Sequence, residues 1–187
     1  MVMPSLKISC LLSLAACLLV AGCGTAPRAV VERADVSQGP EYEWQASGEG
    51  FGAAVVVTAD PDWKKKWSPP APRLPRIDQA RSLRIGQKVW ALLFLTNPSA
   101  DLTGTVDVTC DLRMIRPNGR VTERRGLRAL RIKTIPVPRT YMSEFVLTME
   151  GEENDPLGEW VIELVVHDNV RGVALPITGR YTLEPRG

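Results

Sequence analysis

The side chains able to act as base, nucleophile or metal ligand near neutral pH are few. The chain has one imidazole, His167, and four thiols, at Cys10, Cys17, Cys23 and Cys110. A Ser-His-Asp relay would have to run through His167. That residue stands beside Asp168 at a strand end, the position of a solvent-facing turn histidine. No G-x-S-x-G elbow presents a serine. His167, Asp168 and Asn169 offer too few ligands for a transition metal. Asp107 and Asp111 share a strand face but stand too far apart to hold one small ion without help. No Walker or dinucleotide glycine loop occurs. The expectation is therefore a protein that is not an enzyme and uses no cofactor and no metal. The remaining enzymatic alternative is a hydrolase of unrecognised type. It would need His167 in a pocket beside a serine or a carboxylate.

The thiols divide by position. Cys110 alternates in phase with Val106, Val108, Leu112 and Met114, so it reads as a small buried hydrophobe, not a nucleophile. The other three lie within the first 23 residues. A single charge, Lys7, precedes an apolar run over residues 8–20, too short to span a bilayer, which takes about 20 residues, and right for the h-region of a signal peptide. The run ends in Val20-Ala21-Gly22-Cys23. This resembles the lipobox of bacterial lipoproteins: an aliphatic residue, a small residue, Gly or Ala, then Cys. The resemblance implies cleavage between Gly22 and Cys23, diacylglycerol on the Cys23 sulfur and acylation of the new amino group. Two or three acyl chains anchor stably where one is marginal. The weaker match ending in Cys17 would leave Leu18, Leu19 and Val20 as an apolar mature end. An ordinary secretory signal that happens to hold a cysteine is the alternative. In that case Cys23 and Cys110 could pair; with Cys23 acylated, no disulfide is available within one chain. Gly24 follows in place of Asp, which in a cell with two membranes implies the outer one, with the domain in the periplasm.

Charge gives the other candidate. The chain has 187 residues, 24% charged and 44% apolar, with a net charge of +2, so nothing draws it as a whole to nucleic acid. Locally the charges separate. Between residues 113 and 139 the cations are Arg113, Arg116, Arg120, Arg124, Arg125, Arg128, Arg131, Lys133 and Arg139, against Glu123 alone. Between residues 140 and 168 there is no Lys or Arg, while Glu144, Glu150, Glu152, Glu153, Asp155, Glu159, Glu163 and Asp168 are acidic. Pairing of basic with acidic strands in one sheet explains this. So does a basic surface, Arg120, Arg124, Arg125 and Arg128, facing an acidic envelope protein, lipopolysaccharide or anionic lipid. Asp60-Pro61-Asp62-Trp63-Lys64-Lys65-Lys66-Trp67 reads as a short helical turn with two indoles on one side. If exposed, Trp63 and Trp67 make a stacking platform for peptidoglycan or another glycan. If buried, they plug the fold and leave the lysines solvated.

The elements that must hold these residues are strands. Residues 24–50, rich in Gly and Pro, read as a flexible tether, with Trp44 as the one residue there able to dock on the domain. Residues 53–58 start the strands. Val89-Trp90-Ala91-Leu92-Leu93-Phe94-Leu95 is apolar on both faces and predicts a central strand covered on both sides. Residues 106–114 alternate cleanly. Residues 116–120 form a tight turn. Residues 121–123 and 129–135 are weaker strands, and Tyr141, Ser143, Phe145, Leu147 and Met149 alternate again. The last hairpin, residues 158–183, packs Trp160, Ile162, Leu164 and Val166, then Val173, Leu175, Ile177, Tyr181 and Leu183, on one face; Pro176 suits an edge or a bulge. The pattern predicts an all-β fold: a single antiparallel β-sandwich of seven or eight strands. It resembles immunoglobulin-like or fibronectin type III-like domains, without the Cys-Trp-Cys spacing of antibody domains. The expected organisation is a signal peptide at 1–22, lipidated Cys23 and tether at 23–50, and the sandwich at 51–187.

Overall fold

The structure, a computed structural model, describes residues 42–67, 71, 73–134 and 139–187. The chain divides into two compact units, Met1–Val30 and Val31–Gly187, and every described residue belongs to the second. The lipobox lies outside the described residues.

Ten strands form among the described residues: β1 (Gln45–Gly48), β2 (Phe51–Thr58), β3 (Ser82–Arg84), β4 (Lys88–Thr96), β5 (Thr105–Ile115), β6 (Val121–Lys133), β7 (Thr140–Met142), β8 (Leu147–Glu150), β9 (Gly158–Asp168) and β10 (Val173–Glu184). One sheet runs β1-β2-β4-β7, with β8 also on β4; the other runs β3-β10-β9-β5-β6. All pairs are antiparallel except β3 on β10. The fold is thus the all-β, two-sheet sandwich expected, with one parallel pair and more strands than the seven or eight counted.

The inner faces supply the core. Trp160, Ile162, Leu164 and Val166 of β9 and Leu175, Ile177, Tyr181 and Leu183 of β10 meet Val55, Val57, Val89, Leu93 and Leu95 of the other sheet. Cys110 is in this layer, fully buried and a free thiol among the described residues. The doubly apolar β4 has a second covering. Its Leu92 and Phe94, with Ala54 and Val56 of β2, pack against Tyr42, Trp63, Trp67, Leu74 and Ile77. Trp63 belongs to one turn of 3-10 helix, Trp63–Lys66, and Trp67 meets Phe94 edge-on at 5.1 Å. The Tyr42 hydroxyl donates to Pro75 O and accepts from Ile77 N at 3.1 Å, holding this layer down.

Three expectations change. Residues 42–50 belong to the sandwich and not to a tether, because Tyr42 and Trp44 are buried and β1 pairs with β2; residues 23–41 lie outside the described residues. The indole of Trp44 lies flat on the backbone at Gly179, where a Cβ would stand 2.4 Å from the ring. The alternating run at 141–149 divides into β7 and β8, with Ser143 N donating to Leu93 O between them. The two weak strands after the turn are one strand, β6, with two irregularities in its register against β5.

Candidate functional site

The outer face of the second sheet and its β6 edge collect the charged residues. Arg113 on β5 is flanked by its direct neighbours in register, Glu163 of β9 and Glu123 of β6. Its guanidinium reaches them at 2.7 Å and 3.2 Å. These two carboxylates raise its already high pKa, Glu163 most. Arg180 pairs with Glu159 at 2.6 Å across β10 and β9. Cross-strand pairing therefore absorbs part of the charge separation. At these exposures each such pair contributes little stability and mainly fixes register. A shallow groove of about 200 Å³ lies over this network, between Arg125 and Val165.

The second register shift shapes the same face. Cys110 pairs with Leu127 and Leu112 with Arg124, so Arg125 and Gly126 together oppose Asp111. This is the geometry of a β-bulge. Gly126 takes φ of +62°, a left-handed value that suits glycine. Its N–H donates to Asp111 Oδ1 at 2.7 Å. That bond, with His167 second, holds the Asp111 carboxyl below the usual carboxylate range.

His167 lies on this face with Nε2 3.4 Å from Asp111 Oδ2. It is a sheet residue beside a carboxylate, not the bare turn histidine expected. Thr109, directly opposite His167 in register, has its hydroxyl within reach of the Asn169 amide. Among the described residues no serine or thiol is hydrogen-bonded to the imidazole. The Cys110 thiol is pushed up to about 12 by burial, with Asp111 adding to the effect, so it carries no thiolate at neutral pH.

Asp168 has a separate role that the sequence hid inside a turn signal. It is fully buried. Its carboxylate accepts from the N–H groups of Ser99, Val170 and Arg171 at 2.8, 3.2 and 3.0 Å. Arg171 Nε lies 3.7 Å away and donates to Ser99 Oγ at 2.7 Å, while its Nη atoms reach Glu49 O and Asn97 O. One pair thus ties three loops together at one end of the sandwich.

The indoles are in the fold, not on a platform. Trp63 is 3% and Trp67 9% exposed; β4 needs both on its outer face. The aromatic patch is corrected accordingly: Lys64, over the Trp63 ring at 5.5 Å, Lys65 and Lys66 are what solvent meets.

The four arginines lie on β6 or the turn before it, all exposed. Arg125 contacts Glu123 at 3.6 Å and Arg128 contacts Glu144 at 2.9 Å. Arg120 and Arg124 have no ion pair among the described residues; Arg124 reaches only the carbonyl of Glu123. Arg116, absent from the candidate set, turns to the other face. It lies over the Trp160 ring at 5.3 Å and donates to Thr122 Oγ1.

No protein-family model and no curated protein matches the chain. Among solved structures, it is similar to a family 123 glycoside hydrolase from Clostridium perfringens (TM-score 0.42, 9% identity, 72% of this chain and 28% of that one). It is similar to a Niemann-Pick type C2 protein from Japanese carpenter ant (TM-score 0.37, 10% identity, 70% and 89%). It is also similar to an immunoglobulin-like protein from Pseudomonas aeruginosa (TM-score 0.28, 19% identity, 59% and 82%). The chain thus spans just over a quarter of the hydrolase. These likenesses are too distant to carry an activity across.

Proposed function

We propose that this chain is a lipid-anchored envelope protein of bacteria, held to the membrane through Cys23, and that its sandwich is a non-enzymatic binding or scaffolding module with an anionic partner in the periplasm. The anchor reading rests on Val20-Ala21-Gly22-Cys23. The binding reading rests on one observation: β6 lies at the sheet edge and carries exposed arginines in excess of its acidic neighbours, with Arg120 and Arg124 unpaired among the described residues. Arginines without intramolecular partners are available for charge-assisted hydrogen bonds to carboxylates or phosphates, which steer association and give specificity. Of the groups that could have done chemistry, Cys110 is used in the core; His167 does face a carboxylate, Asp111, but no serine or thiol is hydrogen-bonded to the imidazole among the described residues.

The structure refines the test. Reversing Arg125 or Arg128 would set two like charges together, because Glu123 and Glu144 already face them. The double variant Arg120→Glu/Arg124→Glu changes the surface without breaking an ion pair. In crosslinking mass spectrometry on native host cells, it is expected to lose the partner crosslinks of the unmodified protein while keeping its abundance. An unchanged crosslink pattern at unchanged abundance refutes the surface.

A further inference from the structure

We propose that β6 is an open docking edge, and that its free side over residues 121–127 takes an extended acidic segment of a protein partner as an added strand. The proposal rests on the arginine surface above and supplies its mode of contact. The first ground is length. β6 has 13 residues, whereas the other strands bordering the sheets, β1, β3, β7 and β8, have 4, 3, 3 and 4. A long unpaired edge is a template for another chain, and strand addition is a recurring way to bind peptides.

The second ground is what already sits on that edge. β6 pairs with β5 on one side only. On the other side the chain after β7 brings in a single acidic residue. Glu144 N donates to Ala129 O at 2.7 Å. The Glu144 carboxylate accepts from Arg131 N at 2.8 Å and from Arg128 Nε at 2.9 Å. Backbone pairs with backbone, and the acidic side chain lands on an arginine. That is one rung of the proposed interaction, made by the protein itself. Towards the turn, over residues 121–127, only β5 and the turn hydrogen-bond to β6 among the described residues. The same rung can therefore be repeated there by another chain.

Charge complementarity names the occupant. Successive residues of a strand alternate faces at about 3.3 Å rise, so Arg124 and Arg125 present cations on both sides of the open edge, with Arg120 at its end. Val121 is 43% exposed and lies opposite the half-buried Ile115 in register. The fitting segment is extended, with carboxylates and β-branched apolar residues in alternation. A phosphate-rich surface would satisfy the arginines but leave the backbone edge and Val121 unused.

The probe is a capped peptide of alternating glutamate and valine, seven residues long, beside the same peptide with every internal amide N-methylated. Both are titrated against the full-length chain purified from its host, with phosphatidylglycerol vesicles as the lipid arm. The parent peptide is expected to bind and to slow hydrogen exchange at amides within residues 121–127. N-methylation, which keeps charge and removes every N–H donor, is expected to weaken binding roughly 10-fold or more. Arg124→Glu is expected to weaken binding of the parent peptide. Equal binding of the two peptides overturns strand addition and leaves a charge surface. Because acyl chains on Cys23 would insert into any bilayer, the lipid arm is read as preference for phosphatidylglycerol over phosphatidylcholine vesicles; such a preference, lost in Arg120→Glu/Arg124→Glu and seen without peptide binding, overturns strand addition in favour of lipid headgroups. If no probe binds while Arg120→Glu/Arg124→Glu still loses its crosslinks in cells, strand addition falls and the arginine surface stands; if those crosslinks also persist, both fall.

Discussion

At the scale of single residues, the firmest consequence concerns Asp168. A fully buried carboxylate with three N–H donors and an arginine is tolerable only while its partners remain. Removing one member of a buried pair costs about 3–5 kcal/mol. Arg171 keeps Ser99 Oγ and the carbonyls of Asn97 and Glu49 as acceptors, so Asp168→Ala is expected at the lower end, about 3 kcal/mol by denaturant unfolding. Asp168→Asn keeps an acceptor and is expected to cost less. A loss under about 1 kcal/mol for the alanine variant would mean that this carboxylate does not fasten the loops. The sequence placed Asp168 correctly at a turn. Its burial was not legible, because the three donors come from two different loops.

At the scale of elements, what could be read from the sequence follows from whether one physical signal dominated. The last hairpin and β5 alternate without interruption, and β4 is apolar on both faces; each formed as expected. Where two signals competed, the reading failed. β6 alternates poorly because a bulge at Gly126 and a run of arginines break its period. The run at 141–149 kept its period in sequence, but the chain leaves β4 at Ser143 to bring Glu144 onto β6. β1 is short and lies among glycines, so it read as tether. Its attachment is testable through Gly179. A methyl group there would stand 2.4 Å from Trp44 Cε3, and overpacking of this kind costs about 1–3 kcal/mol. Gly179→Ala is expected to lower stability by that amount, and the cost is expected to nearly vanish in a Trp44→Ala background. A cost that persists there would place its origin in the β10 backbone rather than the indole.

For the whole molecule, the indoles and the arginines teach opposite lessons. Trp63 and Trp67 read from spacing either as a ligand platform or as a plug for the fold, and tertiary need decides for the plug: a strand apolar on both faces must be covered on both. The arginines read either as internal pairing or as a surface for an acidic partner, and the fold pairs some and leaves others exposed. Arg113 and Arg128 are paired within the sandwich, while Arg120 and Arg124 remain on an open edge. A module of this kind has a use only where its partner is, so the account stands first on its anchor. The most direct measurement is the intact mass of the protein purified from membranes of its native host. The account predicts loss of residues 1–22 and the added mass of a diacylglyceryl group and an acyl chain on Cys23. An uncleaved chain, or an unmodified Cys23, would contradict it.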